Sequence, residues 1–195
     1  MNNQFQSIKE VILTRRTTKP QQMNGQVIPD ALVEQLLQLA DWAPTHGHTE
    51  PWRFIVYAGD SVKEFCRQHA DLYQHNCSAD KFQQAKYEKL LHMGDTASHI
   101  LVSYMRRGDL PKIPELEEIA ATSCAIQNLL LGANALGMAS YWGSGGMAYH
   151  PSMKKMLGLR DEDLVLGILY LGYADKSAGE GKRQVPLAQK VTWHR

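Results

Sequence analysis

Arg15, Arg16, Thr17, Thr18 and Lys19 put three cations and two hydroxyls into five consecutive residues. A guanidinium grips two phosphate oxygens at once and a threonine adds a directional donor, so the cluster suits a phosphate ester. It lies at the end of a predicted helix, where the macrodipole disfavours anions, and the side chains must overcome that field. A solvated basic helix end that complements the dipole accounts for the same residues, and composition leaves both readings open. Lys182 and Arg183 form a second cationic pair near the C-terminus. Trp142-Gly143-Ser144-Gly145-Gly146 is a glycine-rich loop whose amides could meet the edge of a flat, acceptor-rich ring, or form only a turn.

Other motifs fail on their chemistry. Gly132 and Gly137 have phosphate-loop spacing, but Met138 and Ala139 stand where Lys and Ser/Thr are required. Gly143 to Ala148 satisfies G-x-G-x-x-A, yet Tyr149-His150-Pro151 follows and no helix opens at the loop, which argues against a dinucleotide fold. Trp142 replaces the first glycine of a G-x-S-x-G elbow, which weakens a serine hydrolase. His46, His48 and Glu50 could chelate a metal from an extended segment, but they lack the usual helical spacing.

The elements that must carry these residues follow from periodicity. Ile8, Val11 and Ile12 predict a first helix running into Thr14 and Arg15. Pro29-Asp30 opens a second, with Leu32, Val33, Leu36, Leu37 and Ala40 as its buried stripe. Residues 52–58, 100–105, 138–142 and 164–173 read as strands. Ser61 and Glu64 have capping-box spacing and predict a helix toward Tyr73. Residues 79–93 read as a polar helical excursion, 152–157 as a short helix, and 114–136 as a long helix so apolar in its second half that it should be buried on most sides or in a subunit interface. The last twenty residues look like an arm. The pattern predicts one α+β or α/β domain spanning 1–195.

The bulk numbers exclude whole classes. A formal net charge of +1 gives no field that recruits nucleic acid or anionic lipid, and no apolar run approaches the roughly 18 residues of a membrane span. Cys66, Cys77 and Cys124 form no CxxC pair, and no signal-peptide order opens the chain, so a cytoplasmic protein with reduced thiols is expected.

In sequence order, an RR(S/T) motif (Arg15-Arg16-Thr17), an AP-to-PW motif (Ala43-Pro44 to Pro51-Trp52), a W-G-S-G loop (Trp142 to Gly145) and a basic C-terminal segment together resemble the nitroreductase family of FMN-dependent oxidoreductases. The resemblance covers nearly the whole chain and is closest to the small, single-domain, NAD(P)H-using subgroup. It implies a three-layer sandwich with a central mixed, mainly antiparallel sheet in an intertwined homodimer. By the same resemblance, Arg15, Arg16, Thr17 and Lys19 hold the FMN phosphate and ribityl chain, with Lys182 and Arg183 assisting, while Trp142, Gly143 and Ser144 line the isoalloxazine. His46 and Glu50 reach the flavin of the partner subunit on a loop stiffened by Pro44 and Pro51. Gly132, Ala133, Asn134, Ala135, Leu136 and Gly137 match the region that contacts the nicotinamide nucleotide. The implied activity is hydride transfer from NADH or NADPH through FMN to a nitroaromatic, quinone or similar acceptor in a ping-pong cycle, with no catalytic side chain and no metal. Many relatives carry Gln at the position of Glu50. A flavin-binding module without turnover, or a relative acting on reduced flavin or halogenated substrates, would share the same cradle.

Overall fold

A computed structural model describes residues 2–176 and 178–195. Four strands, β1 (Trp52–Ala58), β2 (His99–Met105), β3 (Ala139–Gly143) and β4 (Leu164–Gly172), form one sheet in the order β1-β2-β4-β3. All three pairings are antiparallel. Helices α1 (Asn3–Thr14), α2 (Asp30–Asp41) and α5 (Glu115–Ala135) belong to one layer, and α3 (Asp60–Asn76), α4 (Gln84–Leu91) and α6 (Pro151–Met156) to the other.

The strands separate two cores because alternate side chains point to opposite faces. Leu101, Leu169 and Leu171 pack with Leu36, Ile126 and Leu129 under α2 and α5. Ile100, Val102, Ile168 and Tyr170 pack with Phe65 and Met153 under α3 and α6. Each fully buried side chain of this size contributes about 1.5–3 kcal/mol, which makes the two-sided sheet the rigid platform of the molecule.

One expectation needs correction. Ser61 does not cap α3 through a box with Glu64: its hydroxyl accepts from the Ala58 N–H and donates to the Ala58 carbonyl, and Glu64 instead pairs with Arg67 and Gln68. The helix therefore starts at Asp60, whose carboxylate favours the positive end. In helix α5 most of the second half is buried, through Ala125, Ile126, Leu129, Leu130, Gly132 and Ala133, while Leu116, Ala120 and Cys124 of its first half stay exposed in the single chain. Helix α1 buries nothing completely, and its Phe5, Ile8, Ile12 and Leu13 are all at least half exposed.

Candidate functional site

The β3 edge of the sheet gathers the first group of predicted residues. Between Ser103 and Tyr104 the β2–β4 register slips, leaving Leu166 as an extra residue in β4. This bulge frees the Leu166 carbonyl, which accepts from the Trp142 indole Nε1–H at 3.0 Å. The indole lies so close to Gly167 that a Cβ there would fall 2.1 Å from Nε1, so a glycine is required at that point. Trp142 thus stands fixed but 38% exposed.

Beside it, Arg15 and Thr17 line a groove of about 220 Å³ with Gln127, Leu130 and Ser140. The segment after α1 is tied to β3 by the Thr18 N–H donating to the Ser140 carbonyl at 2.9 Å. Arg15 is half-buried, and its guanidinium has no hydrogen-bond partner among the described residues. An unpaired cation in such a place is costly unless a ligand supplies the anion. Arg16 is used differently: it donates to the carbonyls of Leu13 and Arg15 at the end of α1 and, through Nε, to the Gly179 carbonyl at 3.2 Å. Gly181 lies against the same guanidinium, so the tail carrying exposed Lys182 and Arg183 passes close to the end of α1. Lys19 is exposed, and its backbone N–H donates to Gln22 Oε1.

Gly132 to Gly137 end α5. Gly132 packs on Leu36 and Leu39 of α2, and Ala133 is buried. Asn134 Nδ2 donates to the Val11 carbonyl and to Thr14 Oγ1, docking α1. The Met138 N–H donates to the Ala133 carbonyl and the Gly137 N–H to that of Asn134, a Schellman closure that needs the left-handed backbone of Gly137. Ala135 and Leu136 are exposed.

On the opposite face of β3 the structure reveals a cavity of about 370 Å³ behind the glycine loop, lined by His69, Lys86, Lys89, Tyr141, Tyr170 and Gly145, among others. Apart from Gly145 of the glycine loop, sequence reasoning did not single these residues out. The signal was the polar excursion before Met93, which is α4 laid against the loop. His69 Nε2 accepts from the buried Met147 N–H at 2.9 Å, so the neutral ring carries its proton on Nδ1. Burial, and then the charge of Lys86, lower the His69 pKa to about 4. Burial likewise pushes the Tyr170 hydroxyl upward and the Cys66 thiol up to about 12. Two lysines and no carboxylate line this cavity among the described residues, so its field is positive.

His46 and Glu50 stand elsewhere, on the loop that leads into β1, with Ser144 and Trp142 on the far side of the sheet. Three strand spacings of about 4.8 Å, roughly 14 Å, separate β1 from β3. A single chain therefore does not bring the two groups together. Trp52 anchors the loop, with Nε1 donating to Asp41 Oδ1 at 2.9 Å. His48 and Glu50 adopt φ of 53° and 42°, a left-handed path uncommon for residues with a side chain. No His/Cys/Asp/Glu group able to hold a metal occurs among the described residues.

Residues 12–173 match the model of the nitroreductase family. The chain belongs to this family. As a family member it is 27% identical over 190 residues, covering 97% of this chain and 95% of the relative, to YfhC of Bacillus subtilis, which carries a provisional NAD(P)H nitroreductase name. The crystal structure of a nitroreductase-like family protein from Bacillus cereus superposes with a TM-score of 0.79 at 28% identity, covering 96% of this chain and 95% of that one. The FMN-dependent nitroreductase NfnB from Mycobacterium smegmatis, solved with NADPH, shares the fold with a TM-score of 0.75 at 18% identity, covering 99% and 100%. No helix among the described residues is long and apolar enough to cross a membrane.

Proposed function

We propose that this nitroreductase-family protein is an FMN-dependent oxidoreductase that takes hydride from NADH or NADPH and delivers it to a nitroaromatic, quinone or similar small acceptor. The observation that carries the reading is Arg15: a half-buried guanidinium without a hydrogen-bond partner among the described residues, set with Thr17 beside Trp142 and the glycine loop. A phosphate or another acceptor of the cofactor would complete its hydrogen bonding. The bound flavin would supply hydride transfer at N5 in a ping-pong cycle.

The chain's own residues divide the remaining work. Thr17 adds a donor beside Arg15, and Lys19, Lys182 and Arg183 add exposed positive charge around it. Arg16 holds the end of α1 in place. Trp142, Gly143 and Ser144 offer a wall and uncovered backbone to a planar ring. Lys86 and Lys89 put positive charge behind the loop, the sign that stabilises an anionic reduced ring. Asn134 and Gly137 rim a groove of about 190 Å³ with Arg16 and Lys176, a basic setting suited to the phosphates of the nicotinamide nucleotide.

Completion of the site requires a second copy. The separation of His46 and Glu50 from Trp142, together with the exposed apolar side chains of α1 and α5, supports a homodimer in which each subunit's loop reaches the other's flavin. The test is an absorbance spectrum of the purified protein, repeated anaerobically after adding NADPH and then NADH. Flavin bands that bleach support the assignment, and multiple turnover with an added acceptor separates an enzyme from a flavin carrier. A colourless protein that takes up no FMN overturns it.

A further inference from the structure

His46 projects from the loop before β1 with its side chain 59% exposed. Its Nδ1 lies 2.6 Å from Oε2 of Glu117, in the first turn of α5. Its Nε2 has no hydrogen-bond partner among the described residues. The other side-chain bonds of the loop are internal or run to its flanks: Thr45 Oγ1 bonds Thr49 Oγ1 and accepts from the Glu50 N–H, and Arg53 donates to the Glu50 carbonyl. Beneath the turn, Ile113 and Leu110 pack against Gly47. The His46–Glu117 bond is therefore the polar tie that fixes the direction of the imidazole, because the contacts below it are apolar and non-directional.

We infer that Glu117 is a positioning residue for His46. The inference rests on the reading that His46 contacts the partner's flavin. A carboxylate can only accept, so its neighbour nitrogen must be the one that carries hydrogen. Glu117 thereby locks the neutral ring in the Nδ1–H tautomer and leaves Nε2 as the single nitrogen turned outward. That nitrogen accepts a donor when the ring is neutral and donates when it is protonated. It is held at a defined place on a strained loop, so less ordering remains to be done when cofactor arrives.

The inference is tested by a double-mutant cycle on FMN affinity, read from flavin fluorescence quenching in the dimer, with His46→Ala, Glu117→Ala, Glu117→Gln and the pair His46→Ala/Glu117→Ala. An orienting hydrogen bond of about 0.5–1.5 kcal/mol predicts that Glu117→Ala weakens FMN about two- to thirteenfold. Glu117→Gln, whose amide oxygen still accepts, should recover most of that loss. Removal of Glu117 should cost nothing further once His46 is gone. In parallel, nitrogen-detected NMR of the apoprotein at a pH well above the imidazole range should show His46 as the Nδ1–H tautomer in the wild type and as a tautomer mixture in Glu117→Ala. A loss of affinity that persists in the His46→Ala background, no loss at all, or an unchanged tautomer in Glu117→Ala each overturn the positioning role. If His46→Ala itself leaves FMN affinity intact, it is the flavin contact of the loop that fails, whatever the tautomer result.

Discussion

Neighbouring arginines of one motif have separate tasks. Arg15 lines the groove without a hydrogen-bond partner among the described residues, whereas Arg16 satisfies three carbonyls at the end of α1 and in the tail. Arg15→Ala should weaken FMN by about 1.5–3 kcal/mol, the worth of charge-assisted hydrogen bonds, with little change in melting temperature. Arg16→Ala should reverse the pattern, lowering stability by about 1 kcal/mol with a smaller effect on affinity. Equilibrium dialysis and thermal melts of both variants check the division. His69 gives a prediction in pH. Its pKa falls from 6.5 to about 4 on folding, mainly because burial penalises the charged ring. The unfolded chain then takes up a proton in a range where the folded one does not, so this stability is complete above about pH 6.5 and is lost as pH falls toward 4. The loss reaches about 3 kcal/mol at the bottom of the window. His69→Gln, which can still accept from Met147, should flatten that part of the stability profile in denaturant titrations at a series of pH values.

At the scale of elements, the site depends on how helices are docked onto the sheet edge. Helix α1 is held by Asn134, which donates to both Val11 and Thr14. Asn134→Ala should cost about 1–2 kcal/mol and weaken FMN in proportion as Arg15 loses its fixed mount, measurable by comparing melts with binding isotherms. The segment between β2 and α5 depends on Glu118, which is almost fully buried and accepts from Arg107 and the Gly108 N–H. Arg107 in turn donates to the Ile113 carbonyl beneath the His46 loop. Removing one partner of a buried ion pair typically costs about 3–5 kcal/mol because the other charge is left uncompensated. Glu118→Ala should fall in that range by chemical denaturation, and should loosen the loop as well as the helix.

At the scale of the whole molecule, a single chain leaves too much apolar surface uncovered. Phe5, Ile8, Ile12 and Leu13 of α1 and Leu116 of α5 are each exposed, and the tail adds exposed Leu187 and Trp193. Burying such a surface against a second copy also answers the separation of His46 from Trp142. Light scattering at micromolar concentration should report a dimer. Ile8→Glu, which buries an unpaired charge in that contact, should shift the population toward monomer and lower FMN affinity with it. A wild-type monomer that binds flavin at full affinity would remove the cross-subunit role of the loop.

Local pattern determined most of the framework. The strands at 52–58 and 164–173 were legible because branched and aromatic residues run between turn residues, and the stripe of α2 because its apolar spacing can bury only one face. The RR(S/T), AP-to-PW and W-G-S-G motifs carried the family in sequence order. Tertiary contacts decided the rest. Ser61 bonded back to Ala58 because capping depends on where the preceding strand ends. The separate roles of Arg15 and Arg16, the bulge that frees the Leu166 carbonyl for Trp142, the cavity that joins His69 to Lys86 and Lys89, and the pairing of His46 with Glu117 all join residues distant in sequence or depend on strand register. Periodicity reports which face of an element avoids water; what that face meets is set only when the elements pack.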